Sequence, residues 1–253
     1  LLHNQINTAL DSLEAIAPTP QWLKRIRSLM DLTSLNSADT VESIATLCEK
    51  AVTANGHVAA VCVYPEFVAE VAATLKGTPV KVATVANFPL GTDYMQDVLV
   101  SISNAIALGA NEIDVVFPYE RYLGGERALI KDFVRDCKKA CGSVTLKVIL
   151  ETGILHKPSL IADASKAVIE AGADFIKTST GKAEEGATLV AAAAILCTIK
   201  EMQMPVGLKV SGGIREVKDA LEYIDLANKI MGYQWVSPER FRIGASQLID
   251  RLA

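Results

Sequence analysis

Short, nearly unbroken apolar runs recur along the chain, separated by longer segments whose apolar residues return at helical spacing. The runs read as strands over Leu29–Leu32, Ala59–Tyr64, Lys81–Asn87, Glu112–Phe117, Thr145–Glu151, Asp174–Thr178, Gly207–Val210 and Phe241–Gly244. Strands that are apolar on both faces and joined by helices belong to parallel βαβ units. The helical segments carry their own punctuation. Asp39 with Glu42 predicts a capping box for a helix through Val52, with Val41, Ile44, Leu47 and Cys48 on one face. Thr92 and Asp93 open a helix that Gly109 closes, and Pro158 opens another that Gly172 ends. Ile214–Ile230 repeats Val217, Leu221, Ile224 and Ala227 at helical spacing. Thr19-Pro20 starts a helix ahead of the first strand, and residues 1–18 read as a further helix, a lid over the bottom of the domain.

Eight strands alternating with helices predict an α/β fold, a (β/α)8 TIM barrel with extra N-terminal helices. A doubly wound open sheet fits less well, because no Gly-x-Gly-x-x-Gly follows an early strand. No linker or low-complexity stretch divides the sequence, which predicts a single barrel domain over residues 1–253, with residues 1–28 as a helical extension packed on it. The length of 253 residues is ample for such a core.

Polar residues interrupt nearly every strand: Asp31, Cys62, Thr84 and Asn87, Asp114, Lys147 and Glu151, Lys177, and Lys209. A barrel delivers the C-terminal ends of all its strands to one mouth, so residues far apart in sequence converge there. Lysines rarely enter a dry interior without a partner or a purpose. An amine attacks a carbonyl only when unprotonated, and an ordinary lysine has a pKa of about 10.4. Bringing that to near 7 takes roughly 4 to 5 kcal/mol of differential destabilisation of the cation. Desolvation and a neighbouring ammonium supply it. One lysine then serves as nucleophile, a second depresses its pKa, and a carboxylate positions the second and moves protons.

The mouth also offers an anion site. Gly181-Lys182 follows the sixth strand, Gly212-Gly213-Ile214-Arg215 the seventh, and Gly244-Ala245-Ser246 the eighth. Glycines let backbone N–H groups approach a phosphate, and a helix beginning there would add its positive end.

Composition narrows the partners. A net charge of −4 gives no general attraction to nucleic acid or anionic lipid. No apolar run approaches the roughly 18 residues of a membrane span, and no leader pattern opens the sequence. The first residue is not methionine, which leaves room for a few residues before Leu1. Cys48, Cys62, Cys137, Cys141 and Cys197 lack framework spacing. Cys137 and Cys141 share a helix face without further zinc ligands in sequence, so both are expected to pack in a reducing cytoplasm. His3, His57 and His156 fall outside the strand ends and have no catalytic role in this reading.

In its motifs the sequence closely resembles the deoxyribose-phosphate aldolases, class I aldolases that form a Schiff base on a (β/α)8 barrel. The likeness runs from about Met30 to Leu252. It rests on Met-Asp-Leu-Thr, Val-Cys-Val-Tyr-Pro, Glu-Ile-Asp-Val-Val-Phe-Pro, Leu-Lys-Val-Ile-Leu-Glu-Thr-Gly, Phe-Ile-Lys-Thr-Ser-Thr-Gly-Lys, Leu-Lys-Val-Ser-Gly-Gly and Arg-Ile-Gly-Ala-Ser. The resemblance implies that Lys177 forms the Schiff base, that Lys209 perturbs it and takes part in proton transfer, and that Asp114 joins that relay. It implies supporting places for Asp31, Lys147, Cys62 and Thr180. It implies phosphate contacts from Gly181, Lys182, Gly212, Gly213, Ile214, Arg215, Gly244 and Ser246.

The implied reaction is reversible cleavage of 2-deoxy-D-ribose 5-phosphate to D-glyceraldehyde 3-phosphate and acetaldehyde. It implies no metal or other cofactor, phosphosugar and aldehyde substrates, no nucleic-acid or membrane partner, a homodimer, and a cytoplasmic location. Two features depart from the pattern. The sequence ends at Ala253, where some members continue into a tail ending in tyrosine that assists proton transfer. Gln247 stands where some relatives have a second serine beside the phosphate. Two rival readings are a different Schiff-base barrel aldolase and a non-catalytic sugar-phosphate sensor. The pairing of Asp114 with Lys209 argues against the first, and retention of the whole lysine and aspartate set against the second.

Overall fold

The computed structural model describes residues 1–252. Eight strands close into a parallel barrel: β1 (Met30–Thr33), β2 (Ala60–Val63), β3 (Lys81–Ala86), β4 (Glu112–Val116), β5 (Thr145–Ile149), β6 (Phe175–Lys177), β7 (Gly207–Ser211) and β8 (Phe241–Ala245). Neighbours in sequence are neighbours in the barrel, and β8 closes on β1. This is the (β/α)8 architecture the apolar runs predict, with all eight strands where they were expected to within two residues at either end.

The strands alternate between two environments. In β4, Ile113 and Val115 point outward and belong to the main apolar core beneath the helices, while Glu112 and Asp114 point into the barrel. The interior is itself divided. On the β2 and β3 side it holds the small apolar group Ala60, Cys62, Ala83 and Val85, packed with Leu35. The remaining strands contribute the charged residues.

Seven long helices follow the first seven strands: α3 (Val41–Ala51), α4 (Val68–Thr74), α5 (Met95–Ala107), α7 (Arg127–Cys141), α9 (Pro158–Glu170), α10 (Leu189–Met202) and α11 (Val217–Met231). Short helices α6 (Tyr119–Leu123) and α8 (Thr152–Leu155) sit in the connections after β4 and β5. After β8 the chain makes a 3-10 turn at Gln247–Arg251. The eighth place in the ring is filled from the other end of the sequence, by α2 (Pro20–Leu29), which touches β8 and α11. Thr19 caps this helix and Pro20 takes its first position, as the sequence predicts.

Three expectations are corrected. The helix at the N-terminus, α1 (Leu2–Asp11), ends well before residue 18. It packs on α10 and α11 at the outside of the ring, so it is no lid over the bottom. Its cover explains why α10 is buried from Ala191 to Ile199 instead of along one stripe. The cap of α3 is Thr40 with Ser43, because Asp39 spends its carboxylate on Ser34 and the Asn36 N–H. Similarly, α5 begins at Met95 without a side-chain cap, and the Asp93 N–H is held by the Asn87 side chain.

Cys137 and Cys141 lie buried on the inner face of α7, packed as expected. Among the described residues, no helix is long and apolar enough to cross a membrane. The corrected cap gives a direct check: Thr40→Ala should lower stability by about 1 kcal/mol in urea unfolding. An unchanged midpoint would contradict the assignment.

Candidate active site

Strand register brings the charged residues together before any side chain is considered. Asp114 lies beside Lys147, and Lys177 beside Lys209, as in-register neighbours on adjacent parallel strands. Such neighbours point to the same face. Asp31 on β1 pairs with Gly244 on β8, where the missing side chain makes room: a Cβ at Gly244 would come within 2.9 Å of Lys209 Cε.

The side chains form one continuous ionic cluster. Lys177 Nζ donates to Asp114 Oδ2 at 2.9 Å, and Lys209 Nζ to the same oxygen at 2.7 Å. Lys209 also meets Asp31 Oδ2 at 2.7 Å. Lys147 reaches Asp114 Oδ1 at 2.7 Å, Glu112 Oε2 at 2.6 Å and Asp31 Oδ2 at 3.4 Å. Arg242 donates to Asp31 Oδ1 at 2.7 Å and grips Glu112 with both guanidinium ends, at 2.9 and 3.1 Å. All seven residues are buried.

Glu112 and Arg242 were not singled out in the sequence, although a signal existed. Each lies two residues before an inward position, Asp114 and Gly244, so the strand period of two places it on the same face. Cys62 lies nearby in the small apolar cluster; burial pushes its thiol up, which leaves it a poor nucleophile.

The cluster separates its lysines. Burial alone would lower both Lys147 and Lys209, but the adjacent carboxylates outweigh it and raise them. Lys177 goes the other way: burial, helped by the Lys209 ammonium, lowers its pKa despite Asp114. Burial would raise the Asp31 and Asp114 carboxyls, yet their cations hold both well below the usual range.

Above the cluster opens a cleft of about 410 Å³. Lys177 and Lys209 reach it from below, and Thr180, Gly181, Lys182, Gly212, Gly213, Ile214, Arg215, Gly244 and Ser246 line it. Asp31, Cys62, Asp114 and Lys147 lie beneath and do not line it. Sequence reasoning missed Thr33, Leu35, Asn36 and Ser211, which with Ala245 and Gln247 complete the wall from the ends of β1, β7 and β8 and the loops after β1 and β8. Thr180 is held by Glu151, its hydroxyl donating at 2.5 Å.

Gly181 and Gly213 both have positive φ with nothing near a would-be Cβ. Among the described residues, the N–H groups of Gly181, Gly213 and Ile214 meet no hydrogen-bonding partner. The expected helix end contributes less, because Glu216 and Asp219 already cap the start of α11 and Asp219 takes the Arg215 N–H. Lys182 Nζ and the Ser246 hydroxyl donate to the carbonyls of Leu35 and Thr33. Among the described residues, no group of three or more His, Cys, Asp or Glu is placed to hold a metal ion.

A family model described as DeoC/LacD family aldolase matches residues 26–246. The chain belongs to this aldolase family. Its barrel also superimposes on solved structures. One is a Coccidioides immitis protein provisionally named a deoxyribose-phosphate aldolase, 28% identical, with a TM-score of 0.81 over 98% of this chain and 95% of that one. A Toxoplasma gondii protein with the same provisional name is 26% identical, with a TM-score of 0.83 over 92% and 94%. The Aeropyrum pernix deoxyribose phosphate aldolase, described as tetrameric, is 24% identical with a TM-score of 0.76 over 99% and 96%, a likeness of fold.

The aldolase's buried carboxylates also set its acid stability. A carboxyl whose folded pKa is depressed contributes stability that is full above the unfolded value of about 3.9 and is lost as pH falls toward the folded value. Stability from urea midpoints should therefore fall as pH drops below about 4. Asp31→Asn should flatten that fall and, by leaving Lys209 and Arg242 short of a partner, cost about 3–5 kcal/mol at neutral pH. An unchanged acid slope would contradict the charge assignment of Asp31.

Proposed function

We propose that this family member is a 2-deoxy-D-ribose 5-phosphate aldolase of the Schiff-base class. One observation carries the reading: Lys177, buried and with a lowered pKa, opens into a cleft whose rim presents backbone N–H groups that are unpaired among the described residues. An amine that is neutral at working pH adds to an aldehyde, and the glycine-rich rim suits the phosphate at the far end of the substrate.

In the cleavage direction, Lys177 Nζ adds to the C1 carbonyl of the open-chain sugar and water leaves, giving an iminium. As the C2–C3 bond breaks, the C3 hydroxyl passes its proton to Lys209 Nζ while Lys209 hands one of its own to the Asp114 carboxylate, the net acceptor. That electron pair moves into the iminium and forms an enamine, while C3 becomes the aldehyde of D-glyceraldehyde 3-phosphate. Protonation of the enamine at C2 restores the iminium, and water then releases acetaldehyde and the free amine. The iminium is the electron sink, so the reaction as written calls on no metal or organic cofactor.

Lys209 suits the relay because it shares Asp114 Oδ2 with Lys177 and stays charged when Lys177 does not. Lys147 and Asp31 hold the relay carboxylate and lysine in place. Gly181, Lys182, Gly212, Gly213, Ile214, Arg215, Gly244 and Ser246 take the phosphate in this proposal, and Thr180, fixed by Glu151, lies between phosphate and amine. Assembly as a homodimer, a cytoplasmic setting and a single domain with residues 1–28 as its extension belong to the same proposal.

Borohydride reduction in the presence of acetaldehyde should leave one two-carbon unit on the peptide carrying Lys177. Lys177→Leu should abolish release of D-glyceraldehyde 3-phosphate in a coupled assay while the variant still binds the sugar phosphate. Labelling of another lysine with Lys177 untouched would refute the role assignment.

A further inference from the structure

We propose that Arg242 and Glu112 are positioning residues that set the charge of the buried cluster, so that Lys177 and neither of the other two lysines gives up a proton. The inference rests on the reading of Lys177 as the imine-forming amine. Neither residue touches the cleft.

The count is simple. Four cations, Lys147, Lys177, Lys209 and Arg242, face three carboxylates, Asp31, Glu112 and Asp114, in one buried network. With every group ionised the cluster carries one surplus positive charge in a dry interior, and loss of one proton removes it. Arg242 cannot supply that proton, because a guanidinium stays charged. Among the described residues, Lys147 meets three carboxylates, Lys209 two, and Lys177 only Asp114. The amine with the fewest partners is therefore the one that becomes neutral.

Arg242 creates the surplus. It holds Glu112 in a two-point grip and Asp31 by a third bond, taking up negative charge that would otherwise steady the lysines. Without it, three carboxylates would match three ammonium groups, and no lysine would be driven to deprotonate. Without Glu112 the surplus would double.

The other titratable groups facing the cluster are Cys62 from β2, neutral because burial raises its thiol, and Glu151 from the loop after β5, bonded to Thr180. Burial also pushes the Glu151 carboxyl up. The charge of Glu151 is felt at Lys177, but among the described residues neither group hydrogen-bonds a lysine of the cluster, so the count of partners at the three amines stands.

Charge-count and purely structural roles predict opposite outcomes for a double substitution. The readout is competitive labelling with trace acetic anhydride across pH, with Lys177 followed by peptide mass spectrometry; it requires no turnover. Arg242→Met should move the Lys177 titration midpoint upward, cutting its labelling near neutral pH by about tenfold for each unit moved. Glu112→Gln should move it downward. The double variant, which removes one charge of each sign, should return it to within about half a unit of the parent. Arg242→Lys keeps the charge without the fork and should leave the midpoint near the parent's.

Turnover of deoxyribose 5-phosphate is measured alongside. A depressed Lys177 midpoint without turnover would defeat the proposed reaction and leave this inference standing. An Arg242→Met midpoint equal to the parent's would overturn the inference, as would a double variant as far shifted as Arg242→Met.

Discussion

An unequal number of opposite charges, sealed inside a ring of strands, is the constraint on which the rest of the structure depends. Buried charges persist only when paired and hydrogen-bonded, and breaking such a pair is expensive. Glu112 answers two cations, and Asp31 and Asp114 answer three each. That arrangement needs β1, β4, β5, β6, β7 and β8 to present their inward positions at matching heights. Register supplies the heights, and Gly244 supplies the space for the Lys209 arm.

The opposite side of the interior is built differently, from Ala60, Cys62, Ala83 and Val85. An apolar wall there strengthens the electrostatics on the charged side, because it brings in no competing dipoles. The mouth adds what the cluster lacks, an anion-friendly rim of backbone N–H groups placed by loops that need glycine. A Cβ at Gly186 would lie 2.4 Å from the Gly212 carbonyl oxygen, so the loops after β6 and β7 touch through their backbones. The rim therefore depends on small residues as much as the cluster depends on charged ones.

Much of this was legible in the sequence because a two-sided buried strand is an apolar run, and a lysine or aspartate within such a run stands out. Lys177, Lys209, Asp114, Asp31 and Lys147 all announced themselves in that way, and the structure gathers them within one hydrogen-bonded network. Glu112 and Arg242 stand out less in the sequence because they begin or nearly begin their strands, away from the C-terminal ends that form the mouth. The cap of α3 was misplaced by one residue because Asp39 and Thr40 are both good caps in isolation. Only the fold decides that Asp39 turns to Ser34. The N-terminal helix was misplaced for a deeper reason: its apolar face fits many surfaces, and nothing local says that α10 and α11 are the ones it covers.

The central claim is that burial and an adjacent ammonium leave Lys177 as the amine that loses its proton most readily. It is tested most directly by NMR of the chain labelled with 15N at lysine Nζ, with the Lys177→Leu variant used to assign the signal. The account predicts that the Lys177 signal titrates well below those of the exposed lysines, while Lys147 and Lys209 remain ammonium groups past them. A Lys177 signal that titrates together with the exposed lysines, or above them, would contradict it.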